Sequence, residues 1–345
     1  MLSFLLFVLL FTLPPVHRDQ IDLLLFENEK GEAERISSAD GWERRRAHIL
    51  TNMQLVMGPL PARSKLPDLD IQVLETIELK TVIRKKITFV SELTDRVPAY
   101  LMIPKGMDSR APAMLCLHQT TRFGKAEPAG LAGLPNMHYG LELAKRGYVT
   151  IVPDYPNFGD YVFEPYENGY VSATMKGIWN HMRAVDLLQS LPEVDGAKIG
   201  CIGHSLGGHN TLFVSVFDTR IKAAVTSCGF TSFFKYYEGD LTGWSHEGYM
   251  PRIEDVYDKN PSRMPFDFPE VVAAVAPRAL FVNAPLRDSN FEVSGVQDCV
   301  RAARPVYELF GAARRLVAVY PDAEHDFPPA VREEAYRFLD SVLKD

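Results

Sequence analysis

The chain lacks three features that would place it in other protein classes. It has only four cysteines among 345 residues, and its histidines, cysteines and carboxylates do not show the spacing of a zinc site. Its formal net charge is -7, with acidic and basic residues interspersed rather than grouped in a basic stripe, so nucleic acid is not an expected partner. It has no internal repeat and no low-complexity tract. With 46% hydrophobic residues, the composition predicts a globular protein with one large core.

Long hydrophobic runs are also scarce. Residues 1–13 are almost wholly apolar, and Pro14 and Pro15 end the run. A membrane-spanning helix needs about 20 apolar residues, so the run fits the apolar region of a signal peptide better. We therefore predict a signal peptide or N-terminal anchor over residues 1–18 and a secreted or periplasmic protein, with no membrane partner beyond this segment. A membrane-anchored or a cytoplasmic protein is the alternative, because no Lys or Arg precedes the run and no Ala-x-Ala site follows it.

The cysteines do not settle the compartment. Cys116 and Cys201 fall in predicted strands, Cys228 closes another, and Cys299 lies on a predicted helix. Buried free thiols and disulfide bridges are both compatible with these positions.

One serine stands between a predicted strand and a predicted helix. Residues 203–207 read Gly-His-Ser-Leu-Gly, which matches the G-x-S-x-G nucleophile elbow. Residues 197–202 form a short apolar run, and residues 206–217 fit a helix with an apolar face. The two glycines leave room for a tight approach of strand and helix. The pattern predicts that Ser205 is a nucleophile with an accessible Oγ.

Candidates for an acid and a base follow two later strand-like runs. Asp288 follows the run at 278–284, and His325 follows the run at 316–320. We predict that His325 accepts the serine proton and that Asp288 fixes the tautomer of the imidazole. The alternatives for the acid are two carboxylates nearby in sequence, Glu292 and Asp298.

An oxyanion site is predicted from the residue after the nucleophile and from an earlier strand. Acyl transfer needs two N–H donors directed at the developing oxyanion, and the first is the amide of Leu206. The strand-like run at 113–117 leads into His118, Gln119 and Thr120. We expect the amide of Thr120 to be the second donor, with Gln119 as the other candidate.

The ordered set of motifs resembles the α/β-hydrolases, in their dienelactone-hydrolase-like and acetyl-xylan-esterase-like branch, over about residues 75–345. It rests on the strand end at 118–120, the segment 146–155, the elbow, the Asp288 loop and the His325 loop. Gln119 departs from the glycine that relatives usually have. The resemblance implies a doubly wound, mostly parallel α/β sheet and a serine esterase with no metal and no organic cofactor.

The extent of the resemblance and the sequence that precedes it predict the domain organisation. We expect the hydrolase domain over 71–345 and an N-terminal extension over 19–70 that packs on it through Trp42, Ile49 and Leu50, with Arg44–Arg46 as a solvated helix face. Alternating apolar residues at 73–90 predict antiparallel strands, after which strands alternate with helices. The predicted helices are Met137–Arg146, Gly169–Leu191, Leu206–Phe217, Val293–Phe310 and Pro329–Leu343.

A long aromatic-rich insertion lies between the predicted strands at 221–227 and 278–284. In this fold such an insertion overhangs the strand ends where ligands bind. We predict that Trp244 and Tyr249 contact the substrate, and that Tyr155 lines the cleft. Plain packing is the alternative for these rings.

The function that we predict is hydrolysis of carboxylic esters through an acyl-enzyme, on small-molecule or carbohydrate acyl esters. A serine peptidase of the prolyl-oligopeptidase type is one alternative, although only about 70 residues precede the first strands, too few for a propeller. A catalytically inactive binding module is the other, and the three triad residues in order argue against it.

Overall fold

A nine-stranded sheet forms the centre of the protein. The computed structural model describes residues 20–27 and 31–344. The strands are β1 Leu25–Glu27, β2 Ala33–Arg35, β3 Gln72–Glu78, β4 Val82–Glu92, β5 Asp95–Pro104, β6 Ala111–Leu117, β7 Val149–Pro153, β8 Val194–His204, β9 Ile221–Ser227, β10 Ala279–Asn283 and β11 Leu316–Val319. β1 and β2 pair separately, and the others have the order β11-β10-β9-β8-β6-β7-β5-β4-β3.

The pairing within this sheet changes from parallel to antiparallel along its order. β11, β10, β9, β8, β6 and β7 run parallel, and β5, β4 and β3 continue the sheet in antiparallel pairing. The predicted doubly wound, mostly parallel sheet is confirmed. Its parallel strands all end at one edge, where α/β proteins bind ligands.

The helices cover both faces of the sheet. They are α1 Ala39–Met57, α2 Tyr139–Lys145, α3 Ala173–Ser190, α4 Leu206–Phe217, α5 Thr242–Ser245, α6 Arg252–Asp255, α7 Phe268–Ala273, α8 Val293–Leu309 and α9 Pro329–Leu343. Successive strand residues point to opposite faces, so Leu115 belongs to the core under α1, α3, α4 and α8, and Cys116 to the core under α2 and α9.

Helix boundaries follow local capping. α4 and α9 have the predicted bounds, and the other three predicted helices are shorter than expected. α3 begins at Ala173 rather than at Gly169, because the Ser172 hydroxyl accepts a hydrogen bond from the Met175 amide at 3.0 Å and caps the first turn. Gly169 has a φ of +82°, which a helical residue does not adopt.

Helix α1 packs one face on the main core. Trp42 and Ile49 are fully buried there, and Leu50 packs against the same cluster. The proposed signal or anchor over residues 1–18 lies outside the described residues. Within 20–27 and 31–344, none of the helices has the length and apolar character needed to cross a bilayer. All four cysteines are free and buried.

The predicted solvated face over Arg44–Arg46 is wrong for Arg45. This guanidinium is fully buried and forms an ion pair with Glu270 of α7. Helical spacing places Arg45 between Trp42 and Ile49, on the face that meets the core. Of the three, Arg44 is exposed and Arg46 is partly buried.

We expect Glu270→Gln to lower the free energy of unfolding by about 3 kcal/mol, because it leaves the Arg45 charge buried without its partner. Urea unfolding followed by tryptophan fluorescence measures the change. Glu43→Gln, an exposed position on α1, is the matched control and should change stability by less than about 0.5 kcal/mol. Equal effects of the two substitutions would contradict a supporting role for the buried ion pair.

Candidate active site

Ser205 occupies the turn between β8 and α4 in a strained conformation. Its φ is 53° and its ψ is -117°, values that residues with a side chain rarely adopt. The Ser205 amide donates to the Ser227 carbonyl of β9 at 2.8 Å, which fixes the turn against the sheet. A Cβ at Gly203 would lie 2.2 Å from the Gly207 carbonyl oxygen, and one at Gly207 would lie 2.0 Å from the Leu117 carbonyl oxygen. The geometry is that of a nucleophile elbow, and both glycines are sterically required.

His325 and Asp288 meet at the ends of β11 and β10. The Nδ1 atom of His325 lies 2.9 Å from each carboxylate oxygen of Asp288. Asp288 also accepts the amides of Asn290 and Phe291 at 2.8 and 3.1 Å. Burial alone would raise the pKa of Asp288, but the hydrogen bonds from His325 and from the two amides outweigh it, so the pKa lies below its usual value. An ionised carboxylate therefore holds the imidazole.

The alternative acids lie elsewhere. Asp298 pairs with Lys235 at 2.8 Å and with Arg301 at 2.9 Å on α8. Glu292 accepts a hydrogen bond from the hydroxyl of Ser294. Of the three carboxylates considered from the sequence, Asp288 is the one that contacts the imidazole.

A buried histidine that sequence reasoning passed over packs against His325. The rings of His204 and His325 lie edge to face, with 4.8 Å between their centroids. His204 is fully buried, and its Nδ1 atom lies 2.9 Å from the Ser227 hydroxyl. Burial, with a smaller contribution from the nearby His325, lowers the pKa of His204 to about 3. His204 is therefore a neutral ring that supports the base.

Two more residues that sequence reasoning missed, Asn283 and Cys228, hold the backbone next to His325. The Asn283 amide group donates to the Ser227 hydroxyl at 2.8 Å and to the Asp326 carbonyl at 3.0 Å. The Cys228 thiol donates to the same carbonyl at 3.4 Å. The only sequence signal for these residues is their position at the ends of β9 and β10, beside the nucleophile strand.

The predicted oxyanion and cleft residues lie together. Leu206 is the first residue of α4, so its N–H has no acceptor within the helix. Leu206, Tyr155 and Tyr249 belong to one small apolar cluster. The Tyr249 hydroxyl lies 3.0 Å from the Oγ1 atom of Thr120, which joins the aromatic insertion to the loop after β6. The side chain of Gln119 turns to Glu127, at 3.0 Å.

His118 braces the loop after β6. Its Nε2 atom accepts the Tyr155 amide at 2.9 Å, and its Nδ1 atom lies 2.7 Å from the Gln119 carbonyl. Burial lowers the pKa of His118, so the neutral ring connects two loops. Beside it, Lys125 and Asp154 form a buried ion pair at 2.6 Å.

The position of Trp244 corrects the prediction that it contacts the substrate directly. The ring is 2% exposed and packs against His209 and Phe268, with centroid distances of 4.8 and 5.4 Å. It lies 6.2 Å from Tyr249, which is only partly buried. Trp244 therefore packs behind Tyr249, on the side away from solvent. The physical reason is that the insertion has enough aromatic residues to build its own core.

Among the described residues, His325 and two neighbouring side chains form a group that could hold a metal ion. Ligand atoms of His204, Cys228 and His325 lie within 4.8 Å of one another. A metal would need the Cys228 thiolate, but burial raises the pKa of this thiol and the Asp288 charge raises it further. The hydrogen bonds of these side chains already serve the support of His325 and Asp326. The residues fit a supporting network better than a metal centre.

Comparison with known proteins finds similarity to esterases and to other hydrolases. The family model described as "Glucuronyl esterase, fungi" matches residues 157–311. The chain is 26% identical to YtaP of Bacillus subtilis (strain 168), which is named as a hydrolase, over 84% of this chain and 96% of the relative. It is 26% identical to 4-O-methyl-glucuronoyl methylesterase 1 of Wolfiporia cocos (strain MD-104), over 50% of this chain and 47% of that protein.

A solved structure gives the same fold. The glucuronoyl esterase from Solibacter usitatus superposes with a TM-score of 0.72 at 20% identity, over 95% of this chain and 98% of the other. The chain has the α/β-hydrolase fold. The matches in sequence are to proteins described as esterases or hydrolases, which supports a hydrolase of carboxylic esters.

The buried histidines give a pH prediction. Burial lowers the pKa of His181, His204 and His209 to about 3, so each ring should give the NMR signals of neutral imidazole down to pH 5. The unfolded chain binds these protons below about pH 6.5 and the folded chain does not. The stability from these groups is therefore complete above that pH and is lost as the pH falls towards 3. A ring that titrates near pH 6.5 would contradict this assignment.

Proposed function

We propose that the protein hydrolyses carbohydrate esters through a covalent acyl-enzyme, with Ser205 as nucleophile, His325 as general base and Asp288 as the residue that orients the base. The observation that carries the proposal is the pairing of His325 with Asp288 at 2.9 Å, at the same sheet edge as the strained serine turn. This combination of a strand-to-helix serine with an acid-held histidine is the arrangement of serine hydrolases.

The reaction follows from these positions. Oγ of Ser205 attacks the ester carbonyl while Nε2 of His325 accepts its proton, and the imidazolium is stabilised by the Asp288 carboxylate at Nδ1. The oxyanion accepts hydrogen bonds from the amides of Leu206 and Thr120. His325 then protonates the leaving alcohol, and the acyl-enzyme remains. Water, activated by the same imidazole, releases the acid and restores Ser205.

The description of the matched family and the names of the relatives support a carbohydrate ester as the substrate. The family model covers the elbow and Asp288 but ends before His325. Two partly or largely buried tyrosines, Tyr249 and Tyr155, line the region beside Leu206, and aromatic side chains of this kind pack against the apolar surface of bound ligands.

We also propose that the apolar N-terminal segment directs export. The support is its sequence, an almost wholly apolar run of 13 residues followed by two prolines. N-terminal sequencing of protein recovered outside the cytoplasm would distinguish cleavage near residue 18 from an uncleaved anchor.

Loss of the nucleophile should abolish turnover without unfolding the protein. We expect Ser205→Ala to lower kcat by about 10⁴ to 10⁶ on short-chain acyl esters, because the covalent step is lost. A panel of acyl esters beside peptide amides identifies the reaction, and circular dichroism checks the fold. Ser341→Ala, on the exposed end of α9, is the control and should retain wild-type rates. Undiminished hydrolysis by the Ser205 variant would overturn the proposal.

Two carboxylates on neighbouring elements test the assignment of the acid. Asp288→Asn should lower kcat by about 10⁴, since the amide no longer selects the tautomer with Nε2 free to accept the proton. Asp298→Asn, on the surface of α8, should leave kcat within about twofold. The opposite ranking of the two variants would transfer the orienting role to α8.

A further inference from the structure

We propose that the open cavity beside His325 binds the alcohol part of the ester and selects a bulky alcohol that carries no negative charge. This inference rests on the proposed function and assigns substrate selectivity to the alcohol part of the ester. The cavity has a volume of about 930 Å³, which is large enough for a sugar or an aromatic group.

The cavity is built from the same loops that carry the base. Leu134 comes from the loop after β6, Arg287 and Ser289 from the loop after β10, and the remaining lining from the loop after β11. His325 forms part of its wall. The side chain of Asn136 donates to the Asp326 carboxylate at 2.7 Å and connects the first of these loops to the last.

The chemistry of the reaction decides which half of the ester enters. The leaving oxygen must come within reach of the imidazole that protonates it, so the alcohol extends on the His325 side. The carbonyl oxygen points instead to the amides of Leu206 and Thr120. On that side Tyr249 is tied to Thr120 by their hydroxyl contact at 3.0 Å, which limits the space. The large open volume is therefore on the alcohol side.

The lining predicts the character of the alcohol. One part of it is apolar, with Leu134, Ala323 and Pro328, and the Leu134 side chain is 57% exposed. An exposed large apolar side chain in a concave site favours a ligand with an apolar face.

The charges of the lining are mostly negative. Three acidic residues, Asp322, Glu324 and Asp326, line the cavity together with one arginine, Arg287. Arg287 is paired with Asp322, and within residues 20–27 and 31–344 Glu324 has no ion-pair partner. The excess of negative charge disfavours an anionic alcohol.

The test varies the alcohol at constant acyl group. Methyl acetate and 2-naphthyl acetate are compared in the wild type, Leu134→Trp and Leu131→Trp. Leu131 is 43% exposed on the same loop and does not line the cavity, which makes it the matched control. Filling the cavity should lower kcat/KM for the naphthyl ester by about tenfold in Leu134→Trp and leave the methyl ester within about twofold. Leu131→Trp should change neither.

A second pair of substrates tests the charge. The acetate esters of 4-hydroxybenzamide and 4-hydroxybenzoate have nearly the same shape, and only the second carries a negative charge. The wild type should prefer the amide, and Glu324→Lys should reduce the ratio of the two kcat/KM values by about tenfold. The two esters differ in leaving-group chemistry, but this difference is the same in both proteins. A change in the ratio of the kcat/KM values therefore measures the effect of the charge in the cavity.

The outcomes separate the two proposals. If the wild type hydrolyses none of these esters, the proposed function fails. If it hydrolyses them but Leu134→Trp and Leu131→Trp behave alike, or Glu324→Lys leaves the ratio unchanged, the alcohol site is wrong while the ester hydrolase stands. A change in kcat/KM for the methyl ester equal to that for the naphthyl ester would also overturn the alcohol site, since it would indicate a general disturbance of His325.

Discussion

The close approach of β8 and α4 at Ser205 is the constraint on which the site depends. A residue with a side chain at φ 53° and ψ -117° costs about 1–3 kcal/mol, and such strain persists only where the surroundings hold it. Here the Ser205 amide is bound to Ser227, and the neighbouring glycines allow backbone contact on both sides. The strain projects the serine hydroxyl at the C-terminal edge of the sheet, where the loops that carry the other groups also end.

The base is positioned by neutral groups as well as by a charge. Asp288 holds one nitrogen of His325, and Asn283 and Cys228 hold the following backbone. The ring of His204 packs against the imidazole, and the Ser227 hydroxyl contacts both His204 and Asn283. Because His204 remains uncharged at neutral pH, it adds no repulsion when His325 accepts a proton. The strand ends of β9, β10 and β11 thus support one side chain, and the parallel order of these strands is what brings the supports together.

Local patterns made much of this predictable. The elbow could be predicted because its sequence, the preceding apolar strand and the following helix all agree. The bounds of α4 and α9 were also predicted correctly from local sequence patterns. The pairing of Asp288 with His325 was predictable from their order after two strands. The direct roles of Ser205, Leu206 and Thr120 in turnover, and the division at residue 70, stay predictions.

Other features depend on contacts between distant segments. Arg45 reads as a surface residue until Glu270, 225 residues later, is placed against it. Trp244 was predicted to be a cleft residue because the sequence does not show that His209 and Phe268 pack against its ring. Asn283 has no motif of its own, and its role follows only from the adjacency of β9 and β10.

The central claim is that Ser205 is the activated nucleophile, and covalent labelling tests it most directly. The native protein is treated with a fluorophosphonate, which reacts with serines that an adjacent base activates, and the modified peptide is located by mass spectrometry. The account predicts one adduct, on Ser205, whose formation is lost in a protein with His325→Ala. An adduct on another residue, or equal labelling of Ser205 without His325, would contradict it.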